Sequence, residues 1–323
     1  MVRWDVRVTT APAARSAAHW IVGARGMLGT AVARAAELSG STVHRSAVPW
    51  SEPERAVEVL AADAHRILSE HDDVTLVWCA GAGVVATAPE ALATEVSTLR
   101  SALAGLVDAR RSHPDTAVRM FLASSAGGVY AGSVDPPFTE STVPRALAPY
   151  GEAKLAAEDA VRELAHHGIS VMIGRLSNLY GPGQDLAKPQ GLISQLCRAQ
   201  WQRTPLTMYV SLDTARDYLF VRDAAHMVLA GTRLLADEPE GTVVVKILAS
   251  QSPTSLAMLI GELRRVSRRR PPIIVGSSPH ARFQARDLRF RSEVWPSLDS
   301  LASTLLPAGI HATLEDVSEG LRR

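Results

Sequence analysis

The sequence predicts an α/β fold: a doubly wound parallel sheet with helices on both faces, followed by a smaller C-terminal α/β part. Three observations carry this expectation. Short apolar runs alternate with longer amphipathic stretches through the first half of the chain, the mark of β-α-β units. The first of these runs opens into glycines spaced three apart and then into a helix-forming stretch. The chain, with 323 residues of which 46% are hydrophobic and 21% charged, is long enough to bury a large core.

The elements follow in order. His19–Val22 is a short apolar run ending in glycine and predicts a strand, and Met27–Leu38 has helical character. Ser41–Arg45 predicts the second strand and Glu54–Leu68, apolar at helical spacing, a helix. Room remains for a clipped strand at Ala47–Trp50. Thr75–Cys79, Val118–Ser124 and Ser170–Gly174 predict strands, separated by the helical stretches Pro89–Ala109 and Pro149–His166. Gly181–Gln190, rich in Gly, Pro and polar residues, predicts a loop. Tyr218–Val221 and Thr242–Ile247 are candidates for further strands of the same sheet. From about Ser250, two short helices flank a Pro-rich, Arg-rich connection. The basic run Arg264–Arg270 suits the C-terminal end of a helix, where cations oppose the dipole. His166-His167 before Gly168 reads the same way, as a helix end.

Bulk properties exclude several classes. A net charge of +1 offers no large basic or acidic excess for nucleic acid or a membrane surface. No stretch approaches the roughly 18–20 apolar residues that span a bilayer. The N-terminal MVRWDVRVTTAPAARSA carries charge throughout and predicts an extension before the first core strand, not a signal peptide. Two cysteines, Cys79 and Cys197, make no disulfide framework, so a reducing, cytoplasmic setting is expected. His, Cys and acidic residues lack clustered ligand spacing along the chain, and no metal is expected.

Gly23, Gly26 and Gly29, between a strand and a helix, form the dinucleotide-binding pattern of a Rossmann-like domain. Gly23 permits a tight turn, Gly26 lets backbone approach a pyrophosphate, and Gly29 lets the helix pack on the strand. Arg25, Met27 and Leu28 complete the loop, whose helix N-terminus faces the phosphates with free N–H groups. Without a ligand, the same glycines would make only a tight turn. An NAD site usually offers a carboxylate after the second strand. Here the chain reads Val43-His44-Arg45-Ser46, so Arg45 and Arg25 are candidates to face a 2′-phosphate. NADP(H) is therefore expected slightly ahead of NAD(H), the alternative being two solvated arginines. Residues 1–174 with about 218–248 are assigned to the dinucleotide-binding domain, and 175–217 with 249–323 to a substrate-binding part.

Tyr150 and Lys154 are four residues apart at a predicted helix start and therefore share one helical face. A phenol with an unperturbed pKa near ~10 is a poor base at neutral pH. A neighbouring ammonium favours the phenolate, which can take a hydroxyl proton while hydride leaves the same carbon. Upstream, Ser124 and Ser125 end a buried strand, where open parallel sheets bind ligands, and are placed to hydrogen-bond a substrate oxygen. The alternative is a serine pair that caps the turn.

Taken in order, these motifs resemble a family. Gly23/Gly26/Gly29, Cys79-Ala80-Gly81-Ala82, Ser124-Ser125 with Val129-Tyr130, Tyr150 with Lys154, Arg175 to Gln184 and Arg216 to Asp223 are similar to the NAD-dependent epimerase/dehydratase family of extended short-chain dehydrogenases/reductases. UDP-galactose/UDP-glucose 4-epimerases belong to it. The resemblance runs from about Trp20 to Val228. It implies that Tyr150 and Lys154 are catalytic and contact the cofactor. It also implies that Ala80, Gly81 and Ala82 pass under the cofactor and that Ser177 lies beside the nicotinamide. Val85 would contact the sugar, while Asn178 and Arg216 would bind the diphosphate of a nucleotide-sugar substrate. For Arg216 the alternative is a salt bridge with Asp217 or Asp223. The family often pairs two long helices into a homodimer, which here would be Pro89–Ala109 and Pro149–His166.

The chain departs from the family's pattern at several points. The usual catalytic Ser or Thr position is Ala126, which passes the hydroxyl role to Ser125, with Ser124 second. The Asp-Glu pair of sugar 4,6-dehydratases is replaced by Gly127-Gly128, which argues against elimination of water. Glu95 stands where an asparagine is usual. The short segment before Thr75 resembles the 4-ketosugar reductases. A nucleotide-sugar epimerase acting at C4 is the leading expectation, and an NADPH-dependent 4-ketosugar reductase comes second. A non-catalytic dinucleotide sensor comes third, and the intact Tyr150/Lys154 pair argues against it.

Overall fold

The computed structural model describes residues 16–84, 86–188, 190–276 and 285–322. The first half alternates strands and helices: β1 (Ala17–Val22), α1 (Met27–Leu38), β2 (Thr42–Arg45), α2 (Pro53–Glu70), β3 (Asp73–Trp78), α3 (Pro89–Ser112) and β4 (Ala117–Ser125). A one-turn helix, α4 (Ala126–Val129), precedes α5 (Pro149–Arg162), β5 (Ser170–Leu176) and β6 (Asn178–Tyr180). Then come α6 (Leu192–Gln202), β7 (Leu206–Met208), β8 (Ala215–Arg216), β9 (Tyr218–Phe220), α7 (Val221–Ala236) and β10 (Val243–Leu248). The chain closes with β11 (Thr254–Ser255), α8 (Leu256–Ser267), β12 (Ile273–Val275), β13 (Asp287–Leu288) and α9 (Leu306–Gly320).

Six strands form one sheet in the order β10-β5-β4-β3-β1-β2, and every pairing is parallel. Parallel neighbours require crossovers, and the helices that make them cover both faces. Alternation along β1 sends Trp20 to one face and Ile21 to the other. On the Trp20 face, Leu76, Met120 and Val171 pack with Leu60 and Ile67 of α2, Leu103 of α3 and Val161 of α5. On the opposite face, Ile21, Val77, Phe121 and Met172 pack with Val32 of α1 and Val228 of α7. β5 lies between two neighbours and is buried along all seven residues. A separate apolar cluster, including Tyr180, Leu196, Phe220, Leu259 and Ile310, holds the C-terminal elements together.

The chain leaves β1 toward β2 on one side and returns to β3 on the other, so the C-terminal ends of β1 and β3 form the switch point at which open α/β sheets bind ligands. Three details differ from expectation. Ala47–Trp50 forms no strand, and the sheet ends at β2; Pro49 cannot donate to a ladder there. Tyr218–Phe220 is a strand, but it pairs with Asn178–Tyr180 outside the main sheet, whereas Val243–Leu248 does join it. The fifth helix gives way after Arg162 to a 3-10 turn, Glu163–His167, which ends at Gly168 in the left-handed region. Lys246 of β10 is fully buried and donates to Asp299 at 2.6 Å and to Ser292. Ile247 N–H donates to Glu140 at 2.8 Å.

Candidate active site

Gly23 and Gly29 act in the loop as their spacing predicts. Gly23 has φ +86, and a Cβ there would lie 2.5 Å from the Ala80 backbone nitrogen, so this glycine lets the ends of β1 and β3 meet. A Cβ on Gly29 would lie 2.3 Å from the Gly23 carbonyl oxygen, so α1 packs directly on the turn. Gly26 is different. Its nearest neighbour for an added Cβ is the Gly23 oxygen at 3.4 Å, and it lies exposed at the N-cap of α1 without a side-chain cap. Within the fold itself nothing crowds that position; the open backbone and the uncapped helix end suit a phosphate. Arg25 is exposed beside it. Arg45 is also exposed, but its guanidinium meets Glu37 of α1 at 2.7 Å.

Tyr150 and Lys154 lie on the first turns of α5, with Lys154 Nζ 5.7 Å from the centre of the tyrosine ring. The amine donates to the Ala123 carbonyl at 3.4 Å. It lies 3.4 Å from where a Gly81 Cβ would sit, and Glu95 Oε2 is 3.8 Å from that same point. Glycines bring the tyrosine to β4. A Cβ on Gly151 would lie 2.3 Å from the Gly128 oxygen, and one on Gly128 would lie 2.9 Å from the Tyr150 ring. Ser125 caps α4: its Oγ accepts from Gly128 N–H at 3.1 Å, leaving its own proton free to donate. An added Cβ on Gly128 would also sit 3.3 Å from that Oγ, which fixes Ser125 next to Tyr150. A small cavity of about 40 Å³ is lined by Tyr150, Lys154, Glu95, Ala80 and Trp78.

Ser124 does not join this group. It is 4% exposed, and its hydroxyl donates to Glu158 at 2.6 Å. The strand's alternation turns it away from Ser125 into a buried network. There Arg175 grips Glu158 with bonds of 3.0, 3.2 and 2.6 Å and donates to the Tyr130 hydroxyl, which in turn donates to the Thr139 carbonyl. The expectation that Ser124 binds substrate is therefore corrected: it is a polar residue of the core.

Beyond β5, Ser177 Oγ is buried and has no hydrogen-bond partner among the described residues. An orphaned hydroxyl at the ligand edge of the sheet suits a cofactor amide. Asn178 is exposed, with Nδ2 donating to the Asp217 carbonyl at 2.9 Å. Arg216 precedes that residue and donates to Ala215 O at 2.8 Å. Burial lowers its pKa, with Tyr218 and Asp287 pulling the other way. Neither expected carboxylate partner is available: Asp217 accepts from Ser250 and Asp223 from Thr304. No salt bridge to Arg216 occurs among the described residues. A desolvated guanidinium in that state suits an anionic ligand. Val85 lies outside the described residues.

Two features were not evident from spacing. Glu95 faces the site, its Oε1 accepting from Ala82 N–H at 2.8 Å; its replacement of an asparagine was the available signal. His44 is 27 residues from His71, which follows Glu70 directly, yet the ligand atoms of all three gather within 4.8 Å of one another. Burial pushes the Cys79 thiol up to about 12, although Lys154 pulls it back.

A parallel sheet with a glycine turn at its switch point and a Tyr–Lys pair on α5 after β4 is the architecture of a Rossmann-type protein. The NAD dependent epimerase/dehydratase family matches residues 20–245, and the chain belongs to that family. A dTDP-L-rhamnose 4-epimerase of Burkholderia thailandensis is 32% identical over 126 residues, 38% of this chain and 34% of that protein. A dTDP-4-dehydro-6-deoxyglucose reductase of Escherichia coli is 26% identical over 163 residues, 50% of each. These matches span about a third to a half of the relatives' lengths. Among solved structures, a UDP-glucose 4-epimerase of Thermotoga maritima, with UDP-glucose, superposes with a TM-score of 0.77 at 18% identity, covering 94% of this chain and 99% of that one. It has the same fold. Among the described residues, no helix is long and apolar enough to cross a membrane.

Proposed function

We propose that the protein is an NAD(P)-dependent nucleotide-sugar epimerase acting by transient oxidation at a sugar carbon, C4 in this reading. The observation that carries it is the Gly128 turn. A Cβ on Gly128 would lie 2.9 Å from the Tyr150 ring, and Gly127-Gly128 carry no acid, which supports proton transfer at one carbon without the acids of a dehydratase. Bound nicotinamide would supply the hydride acceptor and donor. The Gly23–Gly29 loop, with Arg25, Met27 and Leu28, would hold its diphosphate, and Ala80, Gly81, Ala82 and Ser177 its nicotinamide half.

Tyr150 removes the C4 hydroxyl proton and returns it after the sugar has presented its other face. Lys154 holds the charge on the phenolate, and Ser125 donates to the reacting oxygen. Arg216 and Asn178 grip the substrate diphosphate, with Val85 against the sugar. Arg25 and Arg45 favour NADP(H) over NAD(H), the 2′-phosphate displacing Glu37 from Arg45. A homodimer through α3 and α5 belongs to this reading.

The test is purified protein incubated with UDP- and dTDP-hexoses, followed by NMR of the sugar and absorbance at the reduced-nicotinamide band. The epimer appears without net cofactor consumption. Stoichiometric NADPH oxidation by a nucleotide-bound 4-ketosugar instead establishes the second reading, a reductase, which the sheet's end at β2 and the reductase relative favour.

A further inference from the structure

We infer a site for one divalent transition-metal ion, Zn²⁺ in character, formed by His44, Glu70 and His71 at the β2 edge of the sheet. Nothing in the dinucleotide chemistry uses these residues. His44 is paired in register with Trp20 and so faces the α2 side. Glu70 ends α2, and His71 caps it. The ligand atoms lie within 4.8 Å of one another, and the two imidazole Nε2 atoms approach to 2.8 Å with their rings inclined at 64°.

That contact constrains the protons. Two neutral imidazoles can share it only if one Nε2 carries hydrogen and the other is bare. Ser16 Oγ lies 3.1 Å from His71 Nδ1. With Nδ1–H of His71 donating to Ser16, Nε2 of His71 is bare and accepts from Nε2–H of His44. A metal ion takes the place of that hydrogen while the His44 proton moves to Nδ1. Both Nε2 lone pairs then face the ion, and the rings release no net proton. Ser16 orients its histidine as outer-shell partners of metal-bound imidazoles do. Glu70 supplies the anionic oxygen; its exposed contact with Arg66 at 3.3 Å is a weak competitor. Tetrahedral bonds of ~2.0–2.1 Å separate two nitrogens by about 3.3 Å, so the rings need part by about half an ångström. Two imidazoles and one carboxylate select Zn²⁺, Co²⁺ or Ni²⁺ over Mg²⁺ or Ca²⁺. The bound ion would clamp β2, one residue from Arg45, to the end of α2.

The test uses untagged full-length protein freed of metal, titrated with Zn²⁺ by calorimetry and with Co²⁺ by visible absorption. One equivalent binds, with nitrogen- and oxygen-type bands. Removing an outer-shell partner alone costs about 10–100-fold in affinity, so His71→Ala and His44→Ala each weaken binding at least about tenfold. Glu70→Gln, at a helix surface and harmless to folding, weakens it too. Zn²⁺ raises the melting temperature of the parent but not of His71→Ala, and Mg²⁺ does neither. Absence of saturable binding overturns the site, as does stoichiometric binding that all three variants retain.

Discussion

Gly26 and Gly29 differ in what a methyl group would strike, which separates binding from folding at single residues. Gly29→Ala drives a Cβ into the Gly23 carbonyl and should cost about 1–3 kcal/mol by urea denaturation. Gly26→Ala makes only an ordinary contact with the Gly23 oxygen at 3.4 Å and should cost at most about 1 kcal/mol at an N-cap. It should still weaken dinucleotide binding at least about tenfold, the equivalent of ~1.4 kcal/mol. Tyr150→Phe should fold normally and lose about 10²–10⁴ in turnover, measured with whichever UDP- or dTDP-hexose the parent protein converts. His19 offers a pH test. Burial first, then Arg233 and Arg119, lowers its pKa, with Asp73 opposing. The unfolded chain therefore binds a proton near pH ~6.5 while the fold still resists it. More protons on the unfolded state means stability rises with pH, so it should be full above ~6.5 and fall as pH drops through the lowered folded value. His19→Gln should flatten that slope, as read from urea midpoints across pH 5–8. At this scale the Gly23–Gly29 turn and the placing of Tyr150 and Lys154 together on one helix were legible, because each rests on local spacing. Ser124 was misread because a strand's alternation sends adjacent serines to opposite sides, and only the partner Glu158 reveals which one is buried.

Among elements, β4, α5 and β5 are joined by the buried network of Ser124, Glu158 and Arg175. The Arg175 and Glu158 side chains are only 5% and 2% exposed, so removing one strands the other. Glu158→Leu should destabilise the protein by about 3–5 kcal/mol, and Glu158→Leu with Arg175→Met should recover most of the loss in the same denaturation experiment. The network lies directly behind Ser125 and α4, so the single variant should also disturb the site, whereas Gly26→Ala should not disturb folding. The starts of α3 and α5 were readable because Pro opens each at a position where its missing N–H costs nothing. The strand expected at Ala47–Trp50 failed because an edge strand needs a donor row and a partner, neither of which hydropathy reports. Tyr218–Phe220 was correctly a strand, yet its pairing with β6 depends on where the chain turns after β5, which is a tertiary fact.

In the molecule as a whole, burial governs reactivity as well as stability. Cys197 lies in the C-terminal cluster, and burial pushes its thiol up to about 12, as it does for Cys79 beside Lys154. Both should resist alkylation at pH 8 in the native state and react quickly in urea, as followed by mass spectrometry. The doubly wound sheet was legible in the order of elements, since parallel strands demand crossovers and the sequence supplies them. The contacts that join the C-terminal segments to it were not, because Lys246, Asp299 and Glu140 meet from distant parts of the chain. The pairing of β10 with β5 has a consequence for synthesis. A ribosome that has completed β5 has released a strand with one bare edge, and the strand that covers it begins only at Val243. Throughout that interval the nascent chain carries an open template for wrong partners, so its need for chaperones should peak before residue 243 emerges and fall once residue 248 is out.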